Sequence, residues 1–168
     1  LDLRPGDRAA IYAANCLPYI EIVAGLSRAG VMVATPTHRA GPEELRRILE
    51  NCQAKVLFHQ DGLPGVTEEM DGLKTLSLDT GYEVLLQGQS IVQPVPPADP
   101  AATFCSPYTS GTTGDPKGVM LSHNCRGHLF KAMAHHFRCL GPEDQHLCFA
   151  PLAHGGGFLG SYPGRIDH

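Results

Sequence analysis

Short apolar runs at residues 8–14, 31–35, 55–59 and 146–150 alternate along this chain with stretches of helical period. That alternation constrains the fold more than any other feature. A run of four to seven apolar residues is too short for a buried helix and reads as a strand covered on both faces. Strand, helix and strand in succession give parallel strands joined by a right-handed crossover. The predicted class is therefore α/β, three-layered, with a mainly parallel sheet flanked by helices. The first helical pattern covers residues 19–29, with Ile20, Val23, Ala24 and Leu26 on one face and Gly30 placed to end it. The second is the best marked. Pro42 stands in its first turn, Glu43 and Glu44 lie near the positive end of its dipole, and Leu45, Ile48, Leu49 and Cys52 fall at i, i+3, i+4 and i+7. Residues 74–78 read as a strand, and 82–86 as strand or helix. Residues 88–100, with Pro94, Pro96, Pro97 and Pro100, read as an exposed connector.

Residues 104–123 carry the chemistry. An apolar, strand-like start at 102–105 leads into Thr109, Ser110, Gly111, Thr112, Thr113, Gly114, Asp115, Pro116, Lys117 and Gly118, a run without a bulky apolar side chain. Such a segment cannot build a core. It can wrap an anion: glycines let backbone N–H groups approach closely, hydroxyls add donors, and a lysine brings charge on a long stem. A polyphosphate is the natural guest of such a loop between a strand and a helix. The loop differs from the common P-loop, since Pro116 stands where the second glycine belongs and Gly118 replaces the hydroxyl residue. A flexible surface linker is the plain alternative, though Pro116 and Lys117 suit a Gly/Ser tether poorly. After the loop, residues 119–121 suggest a short strand. Ser122 is placed to cap a helix running through Arg138, with Cys125, Leu129, Ala132, Met133, His136 and Phe137 as its buried stripe.

The run from Thr109 to Gly118 resembles the AMP-binding signature of the adenylate-forming superfamily, which includes acyl-CoA synthetases, coumarate-CoA ligases, luciferases and peptide-synthetase adenylation domains. Flanking stretches extend the resemblance: Leu3-Arg4-Pro5-Gly6-Asp7-Arg8, Pro42-Glu43-Glu44-Leu45 and Pro151-Leu152-Ala153-His154. Only residues 161–168 fall outside it. The resemblance implies that residues 1–168 are the partial N-terminal, AMP-binding domain of a larger enzyme whose C-terminal domain is absent. It also implies a phosphate loop at 109–118 and an acyl/thiol-channel segment at 151–158.

The implied reaction has two steps: a carboxylic acid attacks the α-phosphate of ATP to give an acyl adenylate and pyrophosphate, and a thiol, usually coenzyme A, then displaces AMP. Carried over by position, Thr109, Ser110, Gly111, Thr112, Thr113, Gly114 and Lys117 would hold the β- and γ-phosphates. Thr109 would also assist Mg²⁺, and His154 would line the passage where acyl group and thiol meet. A loop histidine with no such role is the other reading of His154. Gly65-Val66-Thr67-Glu68 resembles the family's magnesium motif but lies upstream of the phosphate loop and lacks its aromatic start, so it reads as a decoy. The family's Tyr-Gly-x-Thr-Glu motif, ribose-binding aspartate, hinge and catalytic lysine do not follow His154. The chain on its own is expected to be inactive in thioester formation. A nucleotide-binding piece without catalysis, a peptide-synthetase adenylation domain and an unrelated kinase or NTPase are the alternatives.

Composition narrows the partners. The chain has 168 residues, 13 basic and 17 acidic, for a net charge of −4. Its basic residues form no long run, which argues against nucleic acid or an anionic membrane surface. No 20-residue apolar run could span a bilayer, and the first residues lack a secretory apolar segment. A cytoplasmic protein is expected, with its six cysteines as free, mostly buried thiols. The nine histidines show no zinc-like spacing. The start at Leu1 suggests that the natural beginning lies upstream.

Overall fold

The computed structural model describes residues 1–66, 72–90, 99–109, 115–138, 145 and 147–157. Within them the elements run β1 (Arg8–Tyr12), α1 (Leu17–Arg28), β2 (Met32–Thr35), α2 (Pro42–Cys52), β3 (Val56–His59), β4 (Lys74–Ser77), α3 (Tyr82–Leu86), β5 (Thr103–Thr109), β6 (Lys117–Gly118), β7 (Leu121–Ser122) and α4 (His123–Phe137). The sheet order is β4-β3-β1-β2-β5-β6, with β7 also on β5. The pairs β1–β2, β1–β3, β2–β5 and β3–β4 are parallel, and β6 and β7 pair antiparallel with β5. The expected mainly parallel α/β sheet is what the chain forms.

Strand order dictates the layers. The chain steps from β1 to β2 and then returns across β1 to reach β3, so crossovers of one hand must send α1 and α2 to opposite faces. Packing shows that division. Ala9, Ile11, Val33 and Phe58 bury against Tyr19, Ile22, Val23 and Leu26 of α1, and Tyr82 of α3 joins this face. Ala10, Tyr12, Ala34 and Leu57 bury against Leu45, Leu49 and Cys52 of α2. Alternate residues of each central strand thus feed two cores, as a period of two requires. Tyr12 is wholly buried, and its hydroxyl donates to the carbonyls of Ala40 (2.8 Å) and Pro64 (3.1 Å), tying the loops around α2 to β1.

Helix ends follow their local chemistry. At the end of α1 the N–H groups of Gly30 and Val31 donate to the carbonyls of Ser27 (3.1 Å) and Leu26 (2.9 Å). Ser122 caps α4 as its sequence position predicts, its Oγ accepting from the N–H of Cys125 at 3.2 Å. The ambiguous stretch at 82–86 is the short helix α3.

Three expectations require correction. Residues 147–150 form no strand. Leu147 and Phe149 are 82% and 88% exposed, so side chains of the apolar run that suggested a buried strand face solvent instead. The proposed buried stripe of α4 is also wrong. Cys125, Ala132, His136 and Phe137 are exposed, Phe137 by 60%, and Arg126 is the residue of this helix that is buried. Helical period recorded an apolar face, but several of its residues face solvent, and at the helix start His123 packs edge-on against Phe104 at 5.3 Å. Third, the short strand read at 119–121 divides around Val119 and Met120, since β6 ends at Gly118 and β7 begins at Leu121.

Candidate active site

Ligand crevices in parallel α/β sheets open at the carboxyl ends of strands whose following connections leave for opposite faces. Here those strands are β1, followed by α1, and β2, followed by α2. The turn at residues 150–154 sits against their ends. Asn15, just beyond β1, donates from Nδ2 to the carbonyl of Ala150 at 2.9 Å and accepts at Oδ1 from the N–H of Leu152 at 2.8 Å. Thr35, the last residue of β2, donates from Oγ1 to the carbonyl of Ala153 at 3.2 Å. Leu152 and Ala153 are each only 2% exposed. His154 follows on the exposed side, its N–H closing the turn onto the carbonyl of Pro151 at 3.1 Å.

The residues expected to form the phosphate loop leave from the neighbouring strand. In the β2–β5 register, Val33 faces Cys105 and Thr35 faces Pro107. Thr109 lies two residues beyond Pro107 and therefore shares its face. The loop returns as β6, where Lys117 pairs with Thr109 and Gly118 with Tyr108. Directly paired residues carry their side chains on one face, so Thr35, Thr109 and Lys117 all belong to the same side of the sheet's carboxyl edge. Strand spacing and rise place Thr109 about 8 Å from Thr35. Lys117 and Thr109 are both exposed.

The opposite face of this ribbon is closed. A Cβ at Gly118 would stand 2.5 Å from Ser106 Oγ and 2.9 Å from Tyr108 Cζ, so only glycine lets β6 lie this close. Burial pushes the Tyr108 phenol up to about 12. It stays protonated at neutral pH and donates to Asn51 Oδ1 of α2 at 2.7 Å. Asp115 reaches Arg47 of α2 at 3.7 Å, but both groups are largely exposed, and solvent screens the pair. On the other flank, burial lowers the pKa of His123, with Asp99 opposing.

Ser110, Gly111, Thr112, Thr113 and Gly114 lie outside the described residues, as do Thr67 and Glu68 of the upstream decoy and Phe158 of the channel segment. Among the described residues no group of three His, Cys, Asp or Glu side chains could hold a metal ion. The donors that are described fit a polyphosphate with its magnesium: one exposed cation faces one hydroxyl, and magnesium bound to phosphates keeps several waters and asks little of the protein. Asn15 and Thr35 are the residues that sequence reasoning missed. The available signal was an amide and a hydroxyl at the carboxyl ends of two adjacent predicted strands.

Comparison with known proteins agrees with this architecture. Residues 1–164 match the AMP-binding enzyme family, four residues beyond the limit the sequence motifs suggested, and the chain belongs to that family. It is 30% identical over 166 residues to sulfoacetate–CoA ligase of Cupriavidus necator, a match covering 94% of this chain and 32% of that protein. It is 31% identical over 128 residues to the fatty acid–[acyl-carrier-protein] ligase ScoC of Streptomyces coeruleorubidus, covering 72% and 24%. The ATP-bound crystal structure of MatB from Rhodopseudomonas palustris superposes with a TM-score of 0.78 at 22% identity, covering 94% of this chain and 33% of that one. The chain thus spans about a third or less of the length of these proteins.

Proposed function

We propose that this chain supplies the phosphate-holding part of an ATP-dependent acid–thiol ligase, which joins a carboxylic acid to AMP and then to a thiol, with coenzyme A as the expected acceptor. The observation that carries the reading is the shared face of Thr109, Lys117 and the Thr35-anchored turn at the carboxyl edge of the sheet. In this reading residues 109–118 are the phosphate loop and residues 151–158 the acyl/thiol channel. Lys117, with Thr109, Ser110, Gly111, Thr112, Thr113 and Gly114, holds the β- and γ-phosphates. Attack on the α-phosphorus gathers negative charge on the leaving pyrophosphate, and a lysine fixed by the β5–β6 ribbon stabilises it with little reorganisation. Magnesium, assisted by Thr109, would neutralise charge on the same phosphates. His154, exposed at the neighbouring turn, lines the path by which the thiol reaches the activated acyl group.

The sulfoacetate ligase uses CoA by its name, and the ScoC ligase an acyl-carrier protein; CoA is our choice of acceptor. We place the protein in the cytoplasm. Support comes from the free thiols of Cys16, Cys52, Cys105, Cys125 and Cys148. Among the described residues no helix is long and apolar enough to cross a membrane.

The test is calorimetric titration of the chain with magnesium and ATP, alongside Lys117→Ala. Loss of one charge-assisted contact should weaken ATP binding by roughly 10- to 150-fold, the equivalent of about 1.5–3 kcal/mol. Equal affinity in the two proteins would overturn the assignment of Lys117. The alternative reading is nucleotide binding without turnover. A thioester assay on the same samples separates the two.

A further inference from the structure

The turn that carries His154 is attached to the sheet by side chains in place of a strand ladder. Residues 147–150 pair with no strand, yet Leu152 and Ala153 are buried at the ends of β1 and β2. Their polar backbone groups need partners there, since an unpaired buried amide or carbonyl is costly. Asn15 supplies two, presenting donor and acceptor of its amide to Ala150 and Leu152 as a neighbouring strand's peptide group would. Thr35 supplies the third through its hydroxyl to Ala153. Thr35 is 1% exposed and lies beside the buried phenol of Tyr19, so it has little freedom to leave.

We propose that Asn15 and Thr35 are positioning residues for His154. Together they seat the turn at 150–154 in the crevice between the diverging connections of β1 and β2, and so fix where the imidazole meets the reacting groups. The inference rests on the reading of His154 given above. The seat itself can be tested without nucleotide, so its failure is distinguishable from failure of that reading.

The experiment measures amide hydrogen exchange and the His154 ring Cε1–H resonance by NMR in the chain and its variants. Thr35→Val keeps shape and removes the hydroxyl. Exchange at the Leu152 and His154 amides should rise about threefold to tenfold, the loss of one neutral hydrogen bond, and the His154 ring resonance should move. Thr35→Ser restores the hydroxyl and should return both readouts to those of the parent, which a purely volumetric role of Thr35 would not do. Asn15→Asp keeps the acceptor for the Leu152 N–H but loses the donor to Ala150, so Leu152 should stay protected. Asn15→Ala should expose it. Asn15 is on the surface, so its variants remain informative even if Thr35→Val fails to fold. Unchanged Leu152 exchange in Asn15→Ala would overturn the proposal. So would a Thr35→Ser variant that behaves like Thr35→Val.

Discussion

Replacing Gly118 with alanine tests the ribbon that presents Lys117. The new Cβ would stand 2.5 Å from Ser106 Oγ and 2.9 Å from Tyr108 Cζ, both nearer than the 3.0 Å below which real Cβ contacts essentially never fall. Neither neighbour can yield freely. Ser106 is 3% exposed, and the Tyr108 ring is held by its 2.7 Å hydrogen bond to Asn51. Overpacking at such a site costs about 1–3 kcal/mol. With a urea dependence of about 2 kcal/mol per molar, 2 kcal/mol lowers the unfolding midpoint by about 1 M. Part of the strain can be released by peeling β6 away from β5, which displaces Lys117, so ATP affinity should fall together with the midpoint. Ser106→Ala removes the nearer clash and leaves the one with the tyrosine ring. The double variant should therefore recover part of the loss, a coupling that a mutant cycle measures directly. If Gly118→Ala matches the parent in both urea midpoint and ATP affinity, the close approach of β6 to β5 is not what holds Lys117, and the reasoning fails.

Further outcomes follow from other contacts. In a protein carrying this segment together with the remaining length of its relatives, Lys117→Ala should slow adenylation, followed by pyrophosphate exchange, more than transfer from preformed acyl adenylate. The expected difference is about 1.5–3 kcal/mol, and equal losses in both half-reactions would contradict it. Tyr12→Phe strips the donor from the carbonyls of Ala40 and Pro64 and should cost about 1–3 kcal/mol in urea unfolding; an unchanged midpoint would show that water replaces it. Lys55 at 2.6 Å, followed by the N–H of Arg4, holds the Asp7 carboxyl below its ordinary 3.8. A depressed carboxylate contributes stability above its unfolded value, and that contribution disappears as pH falls through the folded value. Acidification below 3.8 should therefore destabilise the parent more steeply than Lys55→Met, as read from urea midpoints across that range, and parallel curves would rule the pair out as a source of acid sensitivity.

What was legible in the sequence was whatever local chemistry decides. The buried strands β1, β2 and β3 announce themselves because both faces are covered, so their apolar runs are unbroken. Helix α2 is marked by Pro42, two acidic residues in its first turn and the stripe Leu45, Ile48, Leu49 and Cys52. The Thr109–Gly118 run marked the loop by composition, and Thr109 and Lys117 lie at the expected edge of the sheet. Periodicity misled wherever burial depends on a distant partner. Helix α4 has an apolar stripe, yet Phe137 is 60% exposed. Residues 147–150 form an apolar run that reads as a strand but are tied down by Asn15, a side chain more than 130 residues away in sequence. No window along the chain could reveal that contact.

The β5–β6 ribbon fixes Thr109 and Lys117, the two feet of the proposed phosphate loop, and this bears on how the segment between them can vary. Closing a longer loop between fixed feet costs only about 0.6 kcal/mol per doubling of its length, so residues 110–116 can gain or lose length while Lys117 stays opposite Thr109. A slip within the ribbon is another matter. Moving β6 by one residue would bring Lys117 or Val119 opposite Tyr108, turn the ammonium to the wrong face, and push a side chain into the space that Gly118 leaves empty beside Ser106. For the stability of the fold, insertions thus cost little between the feet and more beyond them, which makes the stretch from Lys117 to Leu121 the place in this region where a change of length costs the fold most.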